Sequence, residues 1–217
     1  DKRVGLILTL PKASEGKKVN KNAHRALREA WDMVIQDKVS PLIILDNERF
    51  GQLYPNLTIS KFWNAANSNL SGLFHLFNMT AARDSSYSSF DRNDYKSVLD
   101  SGLIVLGASP VPNWKDPVSV SRAIRENLGN NMLCSDLPLH TGSCAAAIMI
   151  GGNKQLDHIT QATLDQAFEQ LNRMLVKGSV VHRGIYSGDK DGLNIFTAVG
   201  GLGRPEKKLA NLENLAL

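Results

Sequence analysis

Cysteine is nearly absent: Cys134 and Cys144 are the two in 217 residues. Their spacing matches no metal or redox motif, so neither a disulfide framework nor a zinc site is expected. Reduced thiols in a cytoplasmic protein are the plain reading. Aromatic residues are scarce at 6%. None interleaves with the early basic cluster Lys12, Lys17, Lys18, Lys21, Arg25 and Arg28, so a nucleic-acid platform is not expected there and a solvated helix face is. Long apolar runs are missing too. Segments such as Cys144–Ile150 (CAAAIMI) are far too short to span a bilayer. The opening DKRVGLILTLPK is too short and strand-like for a signal peptide and has no small-residue cleavage site. No GxSxG, HExxH or Walker loop occurs, and the five histidines are scattered and pair with nothing in sequence.

What is present is an ordinary globular composition, 42% hydrophobic and 21% charged, with a formal charge of +4. That balance excludes collagen, disorder and a coiled coil, and it is too mild to name a polyanionic partner. The length suits one large domain or two small ones, with enough chain to bury a core without disulfides.

Along the chain, Val4–Leu10 (VGLILTL) reads as a strand buried on both faces. Asn20–Ile35 reads as a helix with Ala23, Leu27, Ala30, Trp31 and Val34 on one side. Pro41–Leu45 is a second buried strand, which completes a right-handed βαβ unit. A central strand this early leads us to expect further sequence N-terminal to it. A long helix spans about Thr58 to Met79 on an apolar pattern of threes and fours, with Gly72 inside it at a cost of about 1 kcal/mol. After the polar loop DSSYSS, Asp91 is positioned to cap a helix running to Leu99.

A second α/β pattern starts at Gly102. It comprises strand Leu103–Leu106, helix Val118–Leu128, strand Ala145–Ile150, a helix from Gln161 to Val176, and strands Val180–Tyr186 and Leu193–Val199 joined by the turn SGDKDG. The expected organisation is therefore residues 1–57, a central helix and loop over 58–101, a small α/β domain over 102–203, and a tail over 204–217.

Several features admit a plain reading and a chemical one. Gly200–Gly203 (GGLG) follows a strand but precedes Arg204-Pro205 rather than a helix, so it is a turn and not a phosphate loop. The sequons at Asn56, Asn69 and Asn78 fall largely within the long helix and are discounted. Asp46 at a strand end suits a ribose contact in a dinucleotide fold, but PKASEGKK, the segment after the preceding strand, has one glycine where GxGxxG is needed. Asp91 and Asp94, three apart at a helix start, form a natural cap. The same spacing puts two carboxylates on one face, able to polarise a water at the edge of a partner.

These segments together resemble the tubulin/FtsZ superfamily of GTPases, from the first strand to Gly203. DNERF at Asp46–Phe50, with Leu53-Tyr54 after it, is similar to tubulin's DNEALYDI. KFWNAANSNL at Lys61–Leu70 is similar to AFGAANDVL of FtsZ, and FDRNDYKSVL at Phe90–Leu99 to VDFADVRTVL. GLIVLGAS and TAVGGLG match the strands that open and close the FtsZ C-terminal domain.

The resemblance implies an α/β fold: the end of a Rossmann-like GTPase domain, a long central helix, and a small C-terminal activation domain with a mixed sheet. It implies that the glycine-rich phosphate loops lie in a preceding half, and that these residues alone are inactive. By the same resemblance Asn47 contacts guanine, Trp63 stacks on the base, Asn67 reads its edge and Glu15 contacts the ribose. Trp63 and Asn67, four apart, share a helix face, and asparagine offers both a donor and an acceptor. Asp91 and Asp94 correspond to the aspartates of the FtsZ synergy loop, N-x-D-x-x-D, which completes the next subunit's GTP site. GTP or GDP is the implied nucleotide, with Mg2+ held through its phosphates and the other half. Partners would be further copies, head to tail in protofilaments, and an adaptor that tethers the filament to a membrane; the setting would be cytoplasmic. Division, DNA segregation and membrane shaping are all tasks such filaments perform.

The sequence departs from the family at Ser89 for the loop's first asparagine, Ser68 for the FtsZ aspartate that reads guanine, Val19 for a basic residue near the ribose, and Arg92-Asn93 within the loop. Two other readings stand beside the GTPase: a filament scaffold with a degenerate nucleotide site, and a nucleotide-binding α/β enzyme unrelated to tubulin.

Overall fold

The fold comes from a computed structural model, which describes residues 3–217. The expected parallel βαβ unit opens it: β1 (Val4–Leu10), α1 (Lys17–Ile35) and β2 (Val39–Asp46), with register running from Leu6↔Leu42 to Leu10↔Asp46. After β2 come α2 (Asn47–Leu53), α3 (Ile59–Ala81) and α4 (Arg92–Leu99). Then follow β3 (Leu103–Pro110), α5 (Pro117–Gly129), β4 (Cys144–Gly151), α6 (Asn153–Leu156), α7 (Gln161–Asn172), β5 (Val180–Ser187), β6 (Leu193–Leu202) and α8 (Glu206–Ala216).

All six strands form one sheet, in the order β1-β2-β3-β6-β4-β5. The sheet runs through the expected boundary at Gly102, because β3 pairs in parallel with β2 at Leu42↔Leu103 and Ile43↔Ile104. Successive side chains of β2 point to opposite faces. Leu42 and Ile44 join a core beneath α1, α5, α7 and α8. Ile43 and Leu45 join the core beneath α2, α3 and α4, with Phe62, Phe77, Phe90 and Val98. The result is a sheet covered by helices on both faces.

Two expectations are corrected. β1 is not buried on both faces. Among the described residues β2 is its one neighbour, and Val4 and Ile7 are 60% and 53% exposed. A continuous apolar run does not by itself put a layer on both faces: Leu6, Leu8 and Leu10 pack on the core beneath α1, while Ile7 on the other face is exposed. The turn expected between β5 and β6 is present, and β4 lies between the two strands it joins. The burial patterns give the reason. β6 carries Ile195, Thr197, Ala198 and Val199, all buried, and takes a central position between two antiparallel neighbours. β5 is half polar and takes the outer edge, parallel to β4. Finally, the segment read as a tail is the helix α8, whose Leu209 and Leu212 are buried in the core shared with α1.

The 23 residues of α3 give a rod of roughly 34 Å, at about 1.5 Å per residue. It spans one face of the sheet and separates the two groups of candidate site residues.

Candidate functional site

The first group lies at the far end of α3, where the loop 82–91 turns the chain into α4. Tyr186 of β5 organises that loop from below. It is fully buried, and its hydroxyl accepts from Phe90 N–H at 2.8 Å and reaches the carbonyls of Thr80 and Phe90 at 3.1 and 3.2 Å. Burial pushes the Tyr186 phenol up from its ordinary value, so it stays protonated as a donor. The loop is also joined to the outer edge of β5. Ile185 N–H donates to the Ser88 carbonyl at 2.8 Å, the Ser85 hydroxyl donates to the Ile185 carbonyl, and Arg83 donates to the Ser187 carbonyl at 2.7 Å. Ser89, at the position where FtsZ has asparagine, accepts from Ser85 N–H at 2.9 Å and so closes the loop on itself.

Asp91 and Asp94 form a reciprocal cap on α4. Asp91 Oδ1 accepts from the N–H groups of Asn93 and Asp94 at 2.7 and 2.9 Å. Asp94 Oδ2 accepts from Asp91 N–H at 3.1 Å. Asp91 itself is exposed, and among the described residues its Oδ2 has no hydrogen-bond partner. Asp94 is engaged at both oxygens, because Oδ1 lies 2.8 Å from His182 Nδ1. The other nitrogen of that ring, Nε2, is 2.7 Å from Ser97 Oγ. The expectation that the histidines pair with nothing is therefore corrected for His182. Its partners are 88 and 85 residues earlier in the chain, so no local spacing could reveal them.

The second group lies where β1 and β2 end, the edge at which open α/β sheets bind ligands. Asp46 caps α2 through Oδ1, which accepts from Glu48 and Arg49 N–H at 3.0 and 3.2 Å. Its Oδ2 accepts from Lys208 of α8, and both side chains are buried. Sequence reasoning missed Lys208 because its partner is 162 residues away.

Next to Asp46, Asn47 is 3% exposed, and its Oδ1 finds no donor among the described residues. Asn20 of α1 is in the same condition: its Nδ2 donates to the carbonyls of Ala13 and Gly16, but its Oδ1 is left over. Glu48 accepts from Ala13 N–H at 2.9 Å, so the Ala13 loop touches both helices. Two buried acceptors without donors are costly unless something supplies N–H groups.

Glu15 accepts from Lys12 N–H at 2.8 Å, and Lys12 Nζ sits 4.0 Å above the Phe62 ring. Phe62 packs edge-on against Phe50 and Trp63, at 5.2 Å each. Glu15 and Trp63 are thus linked through Lys12 and Phe62, and Phe50 of the helix that Asn47 begins packs on the same ring. Trp63 is 47% exposed and so is not the buried core residue its spacing also allowed. Asn67, one turn on, opens into a separate cleft of about 300 Å³ lined by Ile7, Leu70, Phe74 and Asn78.

The two groups are not brought together. Between Trp63 and the end of α3 lie 18 residues, roughly 27 Å of helix, before the loop to Asp91 begins. Among the described residues, no cluster of three or more His, Cys, Asp or Glu could hold a metal.

No protein-family model and no curated protein matches the sequence. Solved structures do. The GDP-form TubZ protofilament of Bacillus thuringiensis serovar israelensis matches at 15% identity and a TM-score of 0.84, over 99% of this chain and 57% of that one. CetZ2 from Haloferax volcanii, in a GTPγS-bound protofilament, matches at 20% identity and a TM-score of 0.78, over 99% of this chain and 61% of that one. An FtsZ dimer from M. jannaschii matches at 18% and 0.69, over 91% and 54%. The chain thus spans a little over half the length of these three matched structures. Over that span its fold is that of TubZ, CetZ2 and FtsZ.

Proposed function

We propose that this chain carries the base-contacting end and the activating loop of a polymerising GTPase of FtsZ/tubulin type. The observation that carries the reading is the separation of the two groups by α3. A base held near Asn47 and Trp63 lies at the other end of α3 from Asp91, which supports a role for the carboxylates at a nucleotide held by a neighbour. Head-to-tail self-association is what this reading requires, and the two- and four-stranded filaments formed by TubZ are consistent with it.

At the base end, the unpaired Oδ1 of Asn47 suits guanine, whose edge offers N–H donors, and Trp63 supplies an exposed ring for stacking. At the other end, Asp91 presents a free carboxylate oxygen outward, suited to orient an attacking water. No glycine-rich loop within these residues precedes a helix, so phosphates, and Mg2+ with them, would be held by sequence outside them. A membrane adaptor and a cytoplasmic setting belong to the same proposal.

A second reading, a filament scaffold without turnover, draws support from the reciprocal cap, which gives both aspartates a structural role, and from Ser68 and Ser89.

A mixing experiment separates the two. In the whole polypeptide, Asp91→Ala should keep GTP binding and lose turnover by about 10²-fold or more. A second variant, disabled only in phosphate binding, keeps a good loop. Mixed, the two should regain GTPase activity. If the mixture co-assembles and stays inactive, the shared site is wrong and the scaffold reading stands. At the base end, Asn67→Ala should weaken discrimination of GTP over ATP, because a site built to pair a base edge is left with unmet groups by the wrong ligand. Unchanged selectivity removes Asn67 from the site.

A further inference from the structure

His182 lies on β5, beside Ala146 of β4, and faces α4. Asp94 Oδ1 stands 2.8 Å from its Nδ1 and Ser97 Oγ 2.7 Å from its Nε2. The Phe90 ring is 6.4 Å away, and Cys144 of β4 lies behind Ser97, with Sγ 3.5 Å from Oγ.

The protons in this cluster can be counted. A carboxylate only accepts, so His182 Nδ1 must carry a proton. In the neutral ring Nε2 then accepts, and the proton it receives is that of the Ser97 hydroxyl. The Asp94 carbonyl, 2.8 Å from the same hydroxyl, does not need it, since within α4 that carbonyl accepts from the N–H four residues on. Ser97 in turn receives from the Cys144 thiol, which burial holds in its protonated form. The chain of donors has one direction: Cys144, Ser97, His182, Asp94.

Serine hydrolases use the same three residue types, but Ser97 is the sixth residue of α4. The N–H groups around it are bonded within the helix, which leaves no oxyanion hole.

We propose that His182 is a positioning residue for the activating loop: it holds Asp94, and through the reciprocal cap it fixes the direction in which Asp91 presents its free oxygen. This rests on the proposed role of Asp91 in hydrolysis. It divides the labour of the two aspartates. Asp94, engaged at both oxygens, sets the geometry, and Asp91 meets the water.

The test has two parts. Nitrogen-15 shifts of the His182 imidazole, in the neutral ring, should show the Nδ1–H tautomer; an Nε2–H tautomer overturns the relay. This readout needs no GTPase activity, so it is independent of the function proposed above. In assembled whole polypeptide, His182→Ala should lower kcat by about tenfold or more with KM for GTP unchanged. His182→Asn, which keeps an N–H where Nδ1 stood, should restore kcat to within about threefold. An unchanged kcat in a folded His182→Ala protein, or equal loss in the Ala and Asn variants, overturns the proposal. If Asp91→Ala itself leaves turnover intact, the hydrolytic reading fails while the tautomer result still stands on its own.

Discussion

Asp46 and Asp91 are the same local device with opposite fates. Each sits at the N-cap of a short helix and accepts two backbone N–H groups on Oδ1. Each therefore has Oδ2 to spare. At Asp46 that oxygen is buried and met by Lys208. At Asp91 it is left to solvent. A cap uses only one side of a carboxylate, so what the aspartate does for the protein depends on what surrounds the other side. The first is committed to holding α8 against the sheet. The second is available for chemistry.

The buried member should be the costlier to disturb. Lys208→Met leaves the Asp46 charge buried without a partner and should destabilise by about 3–5 kcal/mol in a denaturant titration. Adding Asp46→Asn keeps the cap but removes the charge, and should recover most of that loss. If the double variant is no better than the single, the lysine matters for packing and the contrast with Asp91 fails.

The same cluster sets an alkaline limit. Burial works against the charge of Lys208, but the Asp46 and Asp136 carboxylates, joined by Cys134 once it ionises, outweigh it and raise its pKa above the ordinary value. Burial pushes the Cys134 thiol up to about 12. Both folded-state values are raised. Each contribution is therefore full below the unfolded value and lost as pH climbs through the folded one. The unfolded values are about 8.5 for cysteine and 10.4 for lysine. Unfolding free energy should fall as pH rises above about 8.5, and Cys134→Ala should flatten the first part of that slope.

At the open end, support comes from hydrogen bonds rather than charge. Tyr186→Phe leaves the Phe90 N–H without its acceptor and should cost about 1–3 kcal/mol. It should also speed hydrogen exchange in the loop 82–91. Loss of stability without faster exchange there would mean that the β5 edge, and not Tyr186, holds the loop. The smallest effect is expected at Asp91. As a cap alone, Asp91→Ala should cost about 1 kcal/mol and Asp91→Ser much less. A loss of turnover far beyond that cost, in both variants, separates the outward oxygen from the cap.

Much of this contrast could be read from sequence, and its decisive parts could not. Asp91 was legible because capping is local: an acidic residue at a helix start and a second three further on are adjacent in the chain. The long helix was legible within two residues at its ends because 3.6-residue periodicity is local too. Asp46 was legible as a strand end, but Lys208 was not legible as its partner. β1 read as buried on both faces because it is apolar throughout, although only Leu6, Leu8 and Leu10 pack on the core. The turn joining β5 and β6 was legible, but the insertion of β4 between them was not, because strand order is set by pairing that leaves no local trace. His182 carried no signal at all.

The reach of 162 residues between Asp46 and Lys208 also has a meaning in time. A ribosome adding about 5–20 residues per second makes Asp46 wait on the order of 8–32 s for its lysine. Throughout that interval the carboxylate has to stay in water, since burial without a counter-charge is prohibitive. The end of the sheet that carries Asn47 therefore closes only once α8 has been made, long after its own residues have left the ribosome.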